Sequence, residues 1–445
     1  MHDTDIRVER TDVRFREVQL DPPLTISGGS IAWFSVACVR VDVESVSGAR
    51  ASGYGESVLS VLWSWPHGDL SIAQRDAAMR DTVQRCADAM TLRDAADPIA
   101  LWRCASAQLD DLSSAALGAT VTQGTGHDDG VRMPRLAAVL ALGAVDNAIH
   151  DAWAGAAGRD AFDLYTPAHL RDDLAAFGLP GEYPSAGIVP TGSGLERLPV
   201  QHVVGVSDPL TRSGAERSLE EWIAAEGVTS FKIKVAGIDP HTDAERIRDV
   251  HRLARSVGTQ PRLAIDPNEG YRDPRAAIAM LDRLADIAPD ARTCIDYLEQ
   301  PVPRDLAVHP DVLRSLSQRV PVLMDEGFTA LSDLPALRAA GWSGIVIKAS
   351  KGQTPAVVAA AVARRLGLRV AVQDLTATGA AFVHSARLLQ RLHTDLPQVE
   401  FNSRQYAPAA NGDLRRRMPD LVDVVDGCIR TDGLRGPGLY GIDSL

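Results

Sequence analysis

Five charged residues in the C-terminal two-thirds of the chain each close a short apolar run: Lys234 after Phe231-Lys232-Ile233, Asp266 after Leu263-Ala264-Ile265, Glu299 after Ile295-Asp296-Tyr297-Leu298, Asp325 after Val322-Leu323-Met324, and Lys348 after Ile345-Val346-Ile347. Runs of this length suit buried parallel strands, and helical spacing fills the gaps between them. The five side chains would then gather at one rim of a barrel. Three carboxylates and two lysines together make a metal site with bases beside it.

The carboxylates Asp266, Glu299 and Asp325 suit a hard divalent cation bound through oxygen in octahedral geometry, and Mg²⁺ fits best. Its free positions would take water and a substrate carboxylate, so that charge developing as a neighbouring carbon loses its proton could be neutralised. Three carboxylates and one Mg²⁺ leave the pocket negative, and an anionic substrate needs the lysines to balance it. Lys234 and Lys348 arise on strands either side of the metal strands, hence on opposite sides of a central substrate. Lys232 points the same way as Lys234, and a second ammonium beside the first would lower its pKa toward working pH.

The elements that must position these groups are legible as alternation. Eight strands are expected near 201–206, 230–235, 262–266, 295–299, 321–325, 344–348, 369–373 and 398–402. Helix starts at Asp239-Pro240, Asp273-Pro274 and Thr354-Pro355 pair a cap residue with proline at the first helical position. Alternating strand and helix over this length means a closed barrel or an open doubly wound sheet, and charges at the ends of five successive units favour the barrel. Before it, period-two alternation from Ile6 to Val43 with a Gly53-Tyr54-Gly55 turn predicts an antiparallel meander. Helical pattern from Ile72 to Leu117, a polar loop from Gly118 to Gly130, and a second helix from Pro134 to Gly158 follow. An irregular connector is expected over 179–199, and a strand-like tail piece over 421–425.

A formal charge of -12 argues against nucleic-acid or membrane partners and leaves small molecules. Five scattered cysteines without a Cys-x-x-Cys pair make a disulfide framework or zinc site improbable and read as buried thiols of a cytoplasmic protein. The N-terminus lacks a signal pattern, and the longest apolar run stops at Asp146.

Phe231-Lys232-Ile233-Lys234, Asp266-Pro267-Asn268, Leu298-Glu299-Gln300-Pro301, Asp325-Glu326-Gly327 and Ile347-Lys348 together resemble the enolase superfamily, and the two-lysine pattern is similar to its muconate lactonizing enzyme branch. Ile26-Ser27-Gly28-Gly29 resembles that family's capping-domain specificity loop, and Asp151-Ala152-Trp153 resembles its helix leading into the barrel. The resemblance implies an α/β fold: a modified TIM barrel, (β/α)7β, with an α+β capping domain completed by the C-terminal tail. The boundaries are 1–133 for the cap, 134–404 for the barrel and 405–445 for the tail. It implies Asp266, Glu299 and Asp325 as Mg²⁺ ligands, Lys234 and Lys348 as the acid/base pair and Lys232 as electrostatic helper, in a homo-oligomer acting on a small carboxylate. Lys348 and the absence of a histidine in Ala371-Val372-Gln373-Asp374 exclude a mandelate-type dyad. The eighth strand lacks the Asp-x-Asp of dipeptide epimerases, and Asp-Glu-Gly leaves open whether Asp325 or Glu326 faces the metal.

The leading expectation is proton abstraction alpha to a carboxylate through an enediolate, giving racemisation or epimerisation. Dehydration or cycloisomerisation is the alternative, and a Schiff-base lyase or non-catalytic barrel is remote. Asn268, Glu400, Asn402 and His202 are candidate substrate contacts. Trp63 and Trp65 are candidates to shade the pocket, and Lys351 is expected to be solvated.

Overall fold

A computed structural model of the chain describes residues 2–123, 131–178, 182–184, 194–214, 216–305, 310–392 and 394–442. Three strands, β1 (Ile6–Ile26), β2 (Gly29–Ser45) and β3 (Arg50–Leu59), form an antiparallel sheet in the order β1-β2-β3. The expected turn at Gly53-Tyr54-Gly55 lies instead inside β3, because its glycines serve a helix. A Cβ at Gly53 would collide with the backbone of Ala152, and one at Gly55 with that of Ala144. Both belong to the long helix Arg135–Ala157, which ends on Gly158 in the left-handed conformation, φ 62°. Small residues on that helix and bare backbone on β3 let the two pack closely.

The earlier helix Leu109–Gln123 continues through Gly118, where a loop is expected; 124–130, like most of the 179–199 connector, lie outside the described residues.

Eight strands form one parallel array: β4 (Arg197–Val204), β5 (Ser230–Lys234), β6 (Arg262–Asp266), β7 (Ile295–Glu299), β8 (Val322–Met324), β9 (Gly344–Lys348), β10 (Arg369–Gln373) and β11 (Val399–Glu400). Their order is β10-β9-β8-β7-β6-β5-β4-β11, and a parallel bridge from Ala371 to Leu396 brings the two ends together. Ala264, Tyr297, Leu323, Val346, Ala371 and Leu396 form a separate buried cluster, the barrel interior. Two residues beyond four of them come Asp266, Glu299, Asp325 and Lys348, so the period of two aims all four inward above that cluster. The same alternation answers the question of Asp325 or Glu326: Asp325 shares the inner face with Leu323.

Asp239 and Asp273 cap their helices as expected, with Pro240 and Pro274 at the first helical position. Thr354 does not. It lies within the helix Gln353–Arg365, and its N–H and hydroxyl donate to Asp146 at 2.7 and 2.8 Å. The cap therefore comes from the helix Arg135–Ala157, tying it to the barrel. In the tail, Pro419–Val422 is helical, and the strand is β12 (Cys428–Arg430), antiparallel to β4 of the barrel and not to the cap. Leu439 N–H donates to Asp151 Oδ1 at 2.8 Å, and Asp151 Oδ2 takes the N–H of Tyr54 on β3, so one carboxylate joins tail, helix and cap. Of the five cysteines, all free, only Cys86 is fully buried and Cys104 is exposed. No helix among the described residues is long and apolar enough to cross a membrane.

Candidate functional site

The inward charges meet a small cavity between barrel mouth and cap. Its barrel wall includes Lys232, Lys234, Asn268, Glu299, Asp325, Lys348, and its cap wall includes Leu24, Ile26, Ile31, Phe34, Trp63. Ser27, in the turn between β1 and β2, donates its hydroxyl to the carbonyl of Asn268, so the turn closes onto the loop after β6. The apolar cap side chains sit over a polar floor, a division common in ligand pockets.

Lys232 Nζ lies 2.8 Å from Glu299 Oε1, 3.1 Å from Glu400 Oε2 and 3.1 Å from Asp266 Oδ2. Burial alone would lower its pKa, but Glu299, Glu400 and Asp266 outweigh burial and hold it well above the ordinary lysine range. The sequence expectation that Lys232 mainly disfavours charge on a neighbour omitted these three carboxylates. Lys234 Nζ donates to Asp266 Oδ2 at 2.5 Å. Lys348 Nζ stands 3.0 Å from Asp325 Oδ2, and despite burial Asp325 raises its pKa too. In the ring of eight strands, β5 and β9 are four apart in either direction, which sets Lys234 and Lys348 across the barrel from one another with the three carboxylate strands between them on one side.

Asp266 is fully buried, yet Lys234 and then Lys232 overcome that burial and hold it below the usual carboxylate range. Glu299 goes the other way: burial, then the facing charge of Asp266, pushes it well up, and its Oε2 is buried without a partner. Among the described residues no group of three or more His, Cys, Asp or Glu side chains is gathered as a metal cluster, since lysine ammonium groups lie between the carboxylates. The donor set nonetheless fits a hard divalent cation. Asp266, Glu299 and Asp325 offer only oxygen, and Glu299 keeps a buried oxygen that a cation would satisfy.

Of the secondary candidates, Asn268, Glu400 and Asn402 line the cavity. His202 does not, a correction. Its neighbour Gln201 points into the barrel, where Tyr297 and Gln373 donate to it, so His202 faces outward. There Nδ1 accepts from Arg404 at 2.7 Å and the ring packs 5.6 Å from that of Trp222. Trp65 is buried away from the cavity, whereas Trp63 lines it and donates its indole N–H to Glu326 Oε1.

Lys351 is the second correction. It is buried, and Nζ donates to the carbonyls of Asp325 at 2.7 Å and Phe328 at 3.1 Å. The signal was present: a 3-10 turn over Ala349–Lys351 returns a lysine three residues on to the side of Lys348. Asp374, one residue past β10, also lines the cavity; a carboxylate directly after a strand, it carries the same sequence signal as Asp325 after β8.

The family described as Enolase C-terminal domain-like matches residues 214–443. The L-Ala-D/L-Glu epimerase of Bacillus subtilis (strain 168) is 28% identical over 217 residues, covering 45% of this chain and 54% of the epimerase. The chloromuconate cycloisomerase CbnB of Cupriavidus necator is 31% identical over 114 residues, 25% of this chain and 27% of that protein. The chain thus matches about half the length of the first of these relatives and about a quarter of the second. Among solved structures, the dipeptide epimerase from Enterococcus faecalis V583, complexed with Mg and the dipeptide L-Leu-L-Tyr, superposes with a TM-score of 0.58 over 90% of both chains at 18% identity.

Proposed function

Because the chain belongs to the Enolase C-terminal domain-like family, we propose that it is a Mg²⁺-dependent enzyme that removes the proton alpha to a substrate carboxylate and returns one from the opposite face. The observation that carries this is the placement of Lys234 and Lys348 across the barrel with the Asp266, Glu299 and Asp325 strands between them. Those three carboxylates would hold the cation. When bound, it supplies positive charge that offsets the negative charge gathering on the substrate carboxylate as the proton leaves.

The chain's own residues do the rest. One of Lys234 and Lys348, in its neutral form, takes the proton onto Nζ while the other, as an ammonium, delivers one from across the cavity. Lys232, held as a cation by Glu299, Glu400 and Asp266, keeps the floor of the site positive. The cap side chains Leu24, Ile26 and Phe34 exclude water from the reacting carbon. Two bases on two faces give inversion, hence racemisation or epimerisation. The similarity to a chloromuconate cycloisomerase favours a second reading in which the same proton loss or gain serves elimination or ring closure.

Deuterium wash-in from heavy water, followed by NMR across a panel of carboxylic acids with Mg²⁺ present, tests the proposal. Lys234→Ala and Lys348→Ala should each stop inversion, and one should still exchange deuterium into a single stereoisomer. Full activity of Lys348→Ala on a confirmed substrate would refute the two-base assignment. Turnover undiminished by excess chelator would overturn the metal.

A further inference from the structure

The two lysines of the proposed exchange are anchored in different parts of the molecule. Lys348 ends β9, and the turn Ala349–Lys351 follows it directly. That turn is bonded to the cap. Ser57 of β3 donates its hydroxyl to the Ser350 carbonyl at 2.9 Å, and the Val58 N–H donates to Ser350 Oγ at 3.4 Å. A third link runs through Asn147, on the helix Arg135–Ala157. Its Nδ2 donates at 3.1 Å to the Glu56 carbonyl of β3 and at 3.1 Å to the Ala349 carbonyl, one residue beyond Lys348. Asn147 is wholly buried, and its Oδ1 has no partner. An unsatisfied buried amide oxygen is costly, and an apolar side chain at 147 would avoid that cost while still filling the space. What only the amide supplies is a donor that two backbones share.

Lys234 has no such tie. Of the residues after it, Ala236 and Gly237 donate their N–H groups to Asp243 at 3.1 Å each, and Tyr271 donates its hydroxyl to the same carboxylate at 2.7 Å. Asp243 belongs to the barrel helix Pro240–Ser256, and Tyr271 follows β6. Among the described residues no cap group hydrogen-bonds to residues 235–243. The Lys348 head group does bond to the barrel, at Asp325 Oδ2 and the Asp374 carbonyl. Its backbone is what the cap holds, and Trp63, from the short helix after β3, adds a ring 5.2 Å from Nζ.

We propose that Asn147 is a positioning residue for Lys348: by joining β3 to the turn after β9 it makes the placement of this lysine, and not of Lys234, depend on how the cap is seated. This rests on the two-base reading above and adds to it an asymmetry between the bases. Proton transfer on the Lys348 face requires the cap in place, whereas the Lys234 face is set by the barrel alone. A displacement of about 1 Å at one base slows its transfer by about a hundredfold, so a shift of the turn separates the two faces.

The chain holds four lysines, Lys232, Lys234, Lys348 and Lys351, all buried in or beside the site, so a lysine-selective label reads the site alone. Mg²⁺-loaded protein grown with lysine carrying ¹³C at Cε should give one NMR signal for each, with those of Lys234 and Lys348 assigned by Lys234→Met and Lys348→Met. Asn147→Leu should move or broaden the Lys348 signal and leave that of Lys234 in place. Ser57→Ala, a smaller change at the same junction, should give the same pattern, with thermal unfolding confirming that both variants are folded. On any acid that exchanges deuterium, Lys234→Ala and Lys348→Ala identify which stereoisomer each base serves. Asn147→Leu should then slow exchange on the Lys348 face about tenfold or more and leave the Lys234 face within about twofold. Equal shifts of both lysine signals, equal slowing of both faces, or an unmoved Lys348 signal in both variants would overturn the positioning role. The two readings fail separately. A Lys348 signal that moves while that of Lys234 does not, in a protein that exchanges no acid, would support the positioning role and sink proton abstraction. Inversion that is intact in the wild type and unchanged in both variants would sink the positioning role and leave proton abstraction standing.

Discussion

Trp63 of the cap donates its indole N–H to Oε1 of Glu326, at the mouth of the barrel, across 2.8 Å. Both residues are buried, and the same oxygen also accepts from Asn268 Nδ2 at 3.1 Å. The Lys348 ammonium lies 5.2 Å from the centroid of the Trp63 ring. A single cap side chain thus touches the loop after β8 and faces one of the proposed acid/bases. Trp63→Phe keeps the apolar wall but removes the donor. It should cost about 1–3 kcal/mol in urea unfolding and change KM more than kcat. A loss in kcat alone, with stability unchanged, would show that the hydrogen bond does not set the cap.

Arg304 holds the same segment from behind. Its guanidinium donates to the carbonyls of Trp63 at 2.9 Å and Ser64 at 3.1 Å, and Nε donates to Glu269 Oε1 at 2.9 Å. A lysine lacks the planar fork that serves these acceptors at once. Arg304→Lys should therefore raise KM several-fold and speed proteolysis near residue 65, whereas protection equal to that of the wild type would count against the latch.

Lys351 supports Asp325 from beneath, and Lys351→Met leaves the buried carbonyls of Asp325 and Phe328 without that donor. Hydrogen bonds from a charged donor contribute about 1.5–3 kcal/mol, so a destabilisation of that order is expected, with a fall in kcat as Asp325 shifts. Lys351→Arg is not a rescue, because the longer head does not fit the same buried space. A Lys351→Met protein with wild-type stability would show that these hydrogen bonds do not support Asp325.

Gly143 faces the turn that carries Ser350 and Lys351; a Cβ there would collide with the Ser350 carbonyl. Gly143→Ala should destabilise the protein by about 1–3 kcal/mol and lower kcat from a position outside the cavity, since the turn moves Lys348 with it. Differential scanning calorimetry and single-turnover kinetics measure the two effects separately.

Burial raises two carboxyls at the junction of cap, helix and barrel: Asp146 to about 7 and Asp151 to about 6, against opposing hydrogen bonds from Thr354 and from Leu439 and Tyr54 respectively. Their folded pKa values exceed the unfolded ones, so the folded state holds these protons more tightly. The stabilisation from protonation is complete below about pH 4 and is lost as pH rises through 6 and 7, at up to about 1.4 kcal/mol per pH unit for each group. Unfolding free energies of wild type and Asp146→Asn between pH 4 and 8 should differ in slope, the variant being flatter; parallel curves would show that Asp146 does not titrate there.

Much of the site was legible in sequence because both relevant periods are short. Each of the charges at 234, 266, 299, 325 and 348 follows an apolar run, and a period of two fixes its face once the run is a strand. Local chemistry also fixed the caps at Asp239 and Asp273, each followed by a proline at the first helical position. What failed depended on contacts distant in sequence. His202 sits on a barrel strand, but only its alternation against the inward Gln201 shows that it faces Arg404 and Trp222. The Gly53-Tyr54-Gly55 segment reads as a turn until the helix that needs its missing side chains is in place. Thr354 reads as a cap until Asp146 supplies one from 208 residues away. Lys351 and Asp374 are polar residues one turn or one residue past a strand, where sequence alone gives solvent as the default. Only the packed cap and barrel remove that solvent, and burial then decides which charges are paired and which acceptors, like Asp374 Oδ2, are left without a donor.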